Sequence, residues 1–280
     1  MLAAFAIFAI LNATAKYLLV SLGLGFVVFG RYAFSLVFVA MWVWQQGGAA
    51  VLVTGHGPLQ VLRGVLLITS TGCNFAALGY LQLAQTASIA FSNPLWVCAL
   101  SPLLLGERVG PRRWFAVVVG FIGVLLIIRP GTMSFHWAML LALASALATA
   151  LYQIATRKVG TDDRALTSLF YVSVVGSVAA APAAPIGWVM PDLVQWSLLA
   201  LMGLCGTVGH HMLTQAHRMA PAPVLAPFVY SQIVWMALIG FVVFGDIPDA
   251  MTILGASVVV ASGLYVFYRE QQLRKRLGDE

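Results

Sequence analysis

From Gly64 to Gly106 the chain contains no Asp, Glu, Lys or Arg. Such a run is about twice the ~20 residues that one helix needs to cross a hydrocarbon layer, so it must fold back on itself. The polar segment Gln82-Leu83-Ala84-Gln85-Thr86 in its middle predicts the turn of a tight helical hairpin. The same scarcity of charge holds throughout. Charged residues are 9% of the 280 and hydrophobic residues 61%, against about 25% charged in soluble domains. No arrangement of these side chains gives both an apolar core and a polar exterior, so the chain resides in a bilayer. The net charge of +6 then belongs to loop ends beside lipid head groups rather than to a nucleic-acid surface. The long apolar runs lack the alternation of a transmembrane barrel, which leaves an all-α membrane protein.

Charge-free stretches and their Gly, Pro and polar interruptions predict ten transmembrane helices, near 1–20, 26–45, 61–80, 85–105, 113–129, 137–156, 166–186, 194–215, 223–244 and 250–268. With the N-terminus in the cytoplasm, 12 of the 15 basic residues fall in inner segments, leaving only Lys16, Arg31 and Arg129 elsewhere. The excess of bases on the cytoplasmic side fixes this orientation and returns the C-terminus to the cytoplasm. Arg274-Lys275-Arg276 lies in a basic cytoplasmic tail, 269–280, that anchors on anionic lipid. Met1 leads straight into apolar residues without a basic segment, so no cleavable signal peptide is expected. Cys73, Cys98 and Cys205 lie in apolar stretches without paired spacing, which suggests neither disulfides nor zinc.

Sliding the chain on itself by 139 residues aligns Ala87 with Ala226, Phe91 with Tyr230, Ser92 with Ser231, Trp96 with Trp235, Gly106 with Gly245, Glu107 with Asp246 and Leu125 with Leu264. A repeat of half the chain, holding five spans, must enter the membrane from the opposite side in its second copy. The expected architecture is two inverted five-helix repeats, 1–130 and 137–268, as secondary transporters use. Leu104-Leu105-Gly106-Glu107-Arg108 and Val243-Phe244-Gly245-Asp246 resemble the repeated helix-four signature of the drug/metabolite transporter superfamily, EamA type. So do Asn12-Ala13-Thr14-Ala15-Lys16, Gly30-Arg31-Tyr32 and Asn93-Pro94. The second half departs from the pattern, with Gln232-Ile233 in place of Asn-Pro and Asp246 in place of Glu. The resemblance implies a ten-helix exporter of small metabolites such as amino acids, in the bacterial inner membrane, with both termini inside.

Lys16 and Arg31 lie toward the outer ends of apolar spans, where they either snorkel to the interface or meet a substrate carboxylate or an outer gate. Asn12 stands one turn before Lys16 on the same face. Trp42, Trp44, Trp114, Trp137, Trp188 and Trp196 fall at span ends, as interfacial belts do. Trp96 and Trp235 fall mid-span, four residues after Ser92 and Ser231. With Phe91 and Tyr230 these residues either line a cavity or pack helix against helix. His210, His211, Thr214, Gln215 and His217 form the densest polar run of any span. A membrane histidine could carry a proton, so His210 and His211 are the proton-coupling candidates, and a plain interhelical hydrogen bond is the other reading. Tyr80, Asn74, Tyr152 and Gln153 are further polar candidates. Pro94, Pro102, Pro223 and Pro227 predict kinks, and Gly203, Gly206, Gly209, Gly120 and Gly123 predict close helix contacts.

No HExxH, GxSxG or Walker-type loop is present, so neither an enzyme nor an ATP-driven pump is expected, and no cofactor or metal is implied. The candidate substrate-binding set is Asn12, Lys16, Tyr80, Ser92, Trp96, Tyr152, His210, Tyr230, Ser231 and Trp235. Its aromatics and few charges favour aromatic or hydrophobic amino acids, with drugs or nucleobase-like metabolites as the alternative cargo and a passive channel as the rival class. The partners implied are a small-molecule substrate, lipid and, through the histidines, protons. Nothing in the sequence separates a monomer from a dimer.

Overall fold

The computed structural model describes residues 1–106, 109–159, 163–219 and 228–278. Glu107, Arg108, Pro223, Ala226 and Pro227 lie outside the described residues, as do the side chains of His217, Arg218, Arg274, Lys275 and Arg276. Every described element is helical: α1 (Leu2–Leu18), α2 (Leu24–Gln45), α3 (Gly57–Leu78), α4 (Leu83–Ala90), α5 (Asn93–Leu104), α6 (Pro111–Ile128), α7 (Ala138–Val159), α8 (Ala165–Ala180), α9 (Leu193–Met219), α10 (Ser231–Phe244) and α11 (Ala250–Gly278). Short 3-10 turns at Gly48–Leu52 and Ala181–Ala183 flank α2 and α8. Counting α4 and α5 together, 8 of these are long and apolar enough to cross a membrane. α1 and α10 are shorter, at 17 and 14 residues.

The charge-free run folds as its sequence requires. α3 ends at Leu78, the chain turns, and Gln82 starts α4 with a capping box closed by Gln85. One expected span is broken: α4 and α5 are separated at Phe91 and Ser92. Pro94 supplies no N–H for the Ala90 carbonyl and its ring crowds that group, so the helix restarts with Leu95 N–H donating to the Ser92 carbonyl at 2.9 Å.

Five connections gather at one end of the bundle. Ser21 accepts from Gln195, Gln82 reaches the Ile247 carbonyl, and Tyr80 stacks on His136 at 5.3 Å. Arg129 pairs there with Asp249, and Lys16 with Asp246. At the opposite end Thr54, between α2 and α3, donates to Asp163, between α7 and α8. Inside, α2 packs on α8 and α9, α3 on α7 and α8, α1 on α9 and α10, and α6 on α11.

Glycines set the closest crossings. A methyl added at Gly203 would lie 2.5 Å from Phe34 Cβ and 2.7 Å from the Ser35 backbone nitrogen, so α9 meets α2 backbone to backbone. A methyl at Gly123 would meet the Gly255 carbonyl at 2.9 Å. Gly203→Ala is therefore expected to lower the thermal midpoint of the detergent-solubilised protein, by the ~1–3 kcal/mol typical of overpacking. Gly72→Ala, with open space around the new methyl, leaves the midpoint in place.

Candidate functional site

Buried polar side chains are costly in an apolar medium unless they find partners, and three groups of them stand out here. In the middle, Asn12 Nδ2 donates to the Phe8 carbonyl while its Oδ1 accepts from Asn74 Nδ2 at 2.7 Å, joining α1 to α3. Beside them Arg31 Nη1 donates to Thr71 at 2.7 Å, and Tyr32 shares the same hydroxyl at 2.9 Å. Ser35 bonds Ser173 of α8 and Thr207 of α9. Arg31 is only 7% exposed, so it does not snorkel; it is enclosed among α2, α3 and α9.

The second group surrounds Arg63, which is 4% exposed rather than a free interfacial charge. It donates to Gln60 at 2.7 Å, Ser168 at 2.9 Å and Thr156 at 3.0 Å, and its guanidinium lies over the Tyr152 ring. Gln60 also donates to Asp163 at 2.6 Å. Partial burial alone would raise the Asp163 carboxyl. The hydrogen bonds from Thr54 and Gln60 and the charges of His56 and Arg63 outweigh it and hold the group below its usual 3.8.

The third group is unsatisfied. At the α4–α5 break, Ser92 Oγ, Asn93 Oδ1 and Trp96 Nε1 are buried without a hydrogen-bond partner among the described residues, and so is Tyr230 OH. The Tyr230 ring rests on Phe91 at 5.2 Å beside that break, and its hydroxyl points on to Gly263 of α11. Buried polar atoms without partners are uncommon, and each costs about 1–3 kcal/mol, so three within one turn of a helix break mark a place built for more than packing.

The residues selected from the sequence thus divide. Phe91 and Ser92 form the break and Trp96 follows one turn on; Phe91 meets the Tyr230 ring, and Trp96 lies edge-on to Phe121 of α6. Ser231 donates to the Phe228 carbonyl and, with Tyr230, borders an open apolar groove. Trp235 is half-buried against the main core. Asn12 and Tyr152 serve the first two groups, and His210 lines a cavity beside Arg31 while its ring meets Phe8. His211 instead packs on Trp42. Lys16 pairs with Asp246 at 2.6 Å and lies over the Phe244 ring, so it too does not simply snorkel. Tyr80 is 61% exposed and stacks on His136 and Trp137 at a helix end, apart from the others. Gln60, Thr54 and Asp163 were not anticipated. Gln60 and Arg63 at i and i+3 share a helix face, the one trace of that network in the sequence.

A helical bundle of this composition, with polar groups buried inside it, defines a multi-pass membrane protein. The model of the EamA-like transporter family matches residues 1–129 and again 136–268. The chain belongs to that family. It is 29% identical to an S-adenosylmethionine uptake transporter of Rickettsia bellii, over 92% of this chain and 88% of the relative. It is also 29% identical to the pseudopaline exporter CntI of Pseudomonas aeruginosa, over 91% and 90% of the two chains. A riboflavin transporter of Vibrio cholerae is 28% identical over 99% and 94%. A crystal structure with 18% identity superposes at a TM-score of 0.66 over 96% of this chain and 97% of that one, a likeness of fold alone. The protein is a membrane transporter of that family.

The depressed Asp163 carboxyl gives a prediction whose sign is fixed. Its stabilising contribution is present above the unfolded value near 3.8 and is lost as pH falls through the folded value. Asp163→Asn should lower the thermal midpoint at pH 7, and the gap from the unsubstituted protein should close on acidification below that point.

Proposed function

We propose that the chain is a secondary carrier that moves a small, weakly charged metabolite bearing a flat ring, by alternating access between two inverted five-helix halves. The orphaned polar atoms of Ser92, Asn93 and Trp96 at one helix break, with the Tyr230 ring beside it, carry this reading, because a cargo that bonds them supplies partners that no described residue offers. Phe91, Trp96 and Tyr230 offer ring faces beside those atoms.

The helix contacts support the inverted repeat. Exchanging α1 with α7, α2 with α8, α3 with α9, the α4–α5 pair with α10 and α6 with α11 maps the main contacts between the halves onto one another: α3 on α7 becomes α9 on α1, α2 on α9 becomes α8 on α3, and α1 on α10 becomes α7 on α4 and α5. The positive-inside distribution supports ten crossings of the bacterial inner membrane with both termini cytoplasmic. The Lys16–Asp246 end is then outermost and the Arg63 end innermost. Lys16–Asp246 and Arg129–Asp249 each join one half to the other, so both pairs part when that end opens.

The cargo class follows from the rings. Aromatic or hydrophobic amino acids suit an aromatic, sparsely charged lining. Relatives named for S-adenosylmethionine and riboflavin favour ring-bearing metabolites more broadly, nucleobase-like ones among them. Relatives are named for uptake as well as export, and export from the cytoplasm is the direction we assign here.

Proteoliposomes preloaded with unlabelled compound and offered labelled phenylalanine, tryptophan, S-adenosylmethionine or riboflavin test this. At least one compound should show saturable counterflow, which a channel does not give. Trp96→Ala should raise its KM by about ten-fold, the loss of one aromatic contact of ~1.4 kcal/mol. Tyr230→Phe, which deletes an unpartnered buried hydroxyl, should slow transport while leaving the thermal midpoint unchanged or higher. Flux linear in concentration for every compound, or unaltered kinetics in both variants, overturns the assignment.

A further inference from the structure

Arg31 is held as an anchor is held. Its Nη1 donates to Thr71, which Tyr32 also bonds, and the rings of Tyr32 and Phe75 lie 4.6 and 5.8 Å from the guanidinium carbon. These contacts fix the group's position and leave its other edge unused. Nε is buried and has no hydrogen-bond partner among the described residues. A Cβ built on Gly206 would stand 3.9 Å from both Nε and Nη2, so this edge looks onto the bare backbone of α9. It borders an internal cavity of ≈ 20 Å³ whose walls include Ser35, Ser173 and His210.

No described carboxylate answers this cation. Asp163, Asp192, Asp246 and Asp249 all lie in connections and are engaged there by Gln60, Gln195, Lys16 and Arg129. A guanidinium keeps its charge at any physiological pH, and an uncompensated charge buried in a membrane bundle is strongly unfavourable. The Nε–Nη2 edge is a pair of parallel N–H donors that matches the two oxygens of a carboxylate. Gly206 leaves that approach clear where any side chain would stand in it.

We propose that the Nε–Nη2 edge of Arg31 anchors a carboxylate, the acidic end of the transported molecule. The proposal rests on the carrier reading for its cargo and on geometry alone for the anion. The cavity here has room for about one water molecule, so the carboxylate docks when the halves move apart at this level and is enclosed as they close. Ser35, Ser173 and His210 stand on the same walls as further polar contacts.

The test reads binding rather than flux. Thermal unfolding of the purified protein in detergent is followed against sodium acetate, with sodium chloride and inorganic phosphate at matched ionic strength. Acetate should raise the midpoint saturably above the chloride baseline, and phosphate should not. Arg31→Gln should weaken the acetate response by about ten-fold or more, the scale of one charge-assisted bidentate contact. Because an arginine variant can misfold, Gly206→Ala is the decisive one. Its new methyl meets Leu11 Cδ1 at 3.7 Å, an ordinary contact, so its chloride midpoint should match that of the unsubstituted protein while the acetate response falls by a similar factor. A flat acetate response in the unsubstituted protein, or an undiminished one in Gly206→Ala, overturns the proposal, and a stronger response to phosphate reassigns the site away from carboxylates. A failed counterflow assay with an intact acetate response sinks the ring-bearing cargo and not this anchor; the reverse pattern sinks only the anchor.

Discussion

Two permanently charged guanidinium groups lie inside this helical bundle, and much of its polar interior is arranged around them. In water a guanidinium is solvated from every side; between apolar helices it must be solvated by the protein. Arg63 meets that demand fully. Gln60, Ser168, Thr156 and Tyr152 surround it, drawing α3, α7 and α8 together, and Gln60 extends the network to Asp163. Arg31 meets it in part, through Thr71 and two aromatic rings, and one edge remains bare. The contrast separates a structural cation from one poised to receive a ligand.

The same distinction orders the uncharged groups. Serines and threonines of the packed interior close on one another or on a carbonyl one turn back, as with Ser70, Ser145 and Thr149. Such bonds are worth about 0.6–2 kcal/mol and hold helices that apolar packing alone would leave free to slide. At the α4–α5 break the pattern lapses. Pro94 interrupts the helix, and the polar atoms of Ser92, Asn93 and Trp96 face no partner. Three unsatisfied atoms gather where α4 gives way to α5, and Arg31 Nε is another on the unbroken α2. A carrier needs satisfied and unsatisfied groups alike, because its cargo must find open hydrogen-bonding positions in a frame that does not collapse around them.

Helix placement was legible from residue chemistry because backbone groups in lipid have no water to bond, so each apolar run had to be a helix. The Gln82 turn followed from local polarity and the Pro94 break from a missing N–H. Phe91 and Tyr230, which a shift of 139 residues matches, are in contact in the fold. Partnership across the chain was not legible. Arg63 reads as one of many topology-setting bases, and nothing local links it to Thr156 or Ser168. Tyr80 reads as a polar candidate at the end of the third span, yet α3 stops at Leu78 and leaves it exposed against His136 and Trp137.

The sequence by itself determined that this chain is an all-helical membrane protein with particular helix limits and a duplicated pattern, since hydropathy, proline and glycine act within a turn or two of themselves. Only the tertiary structure decided which buried polar groups are satisfied. Arg31 and Arg63 are the same residue type in similar apolar surroundings, and what distinguishes them is which helices pack against them: α7 and α8 bring hydroxyls to Arg63, whereas α9 brings the bare backbone of Gly206 to Arg31. Hydrogen bonding depends on ångström-scale approach between segments remote in sequence, and that approach exists only once the bundle has packed.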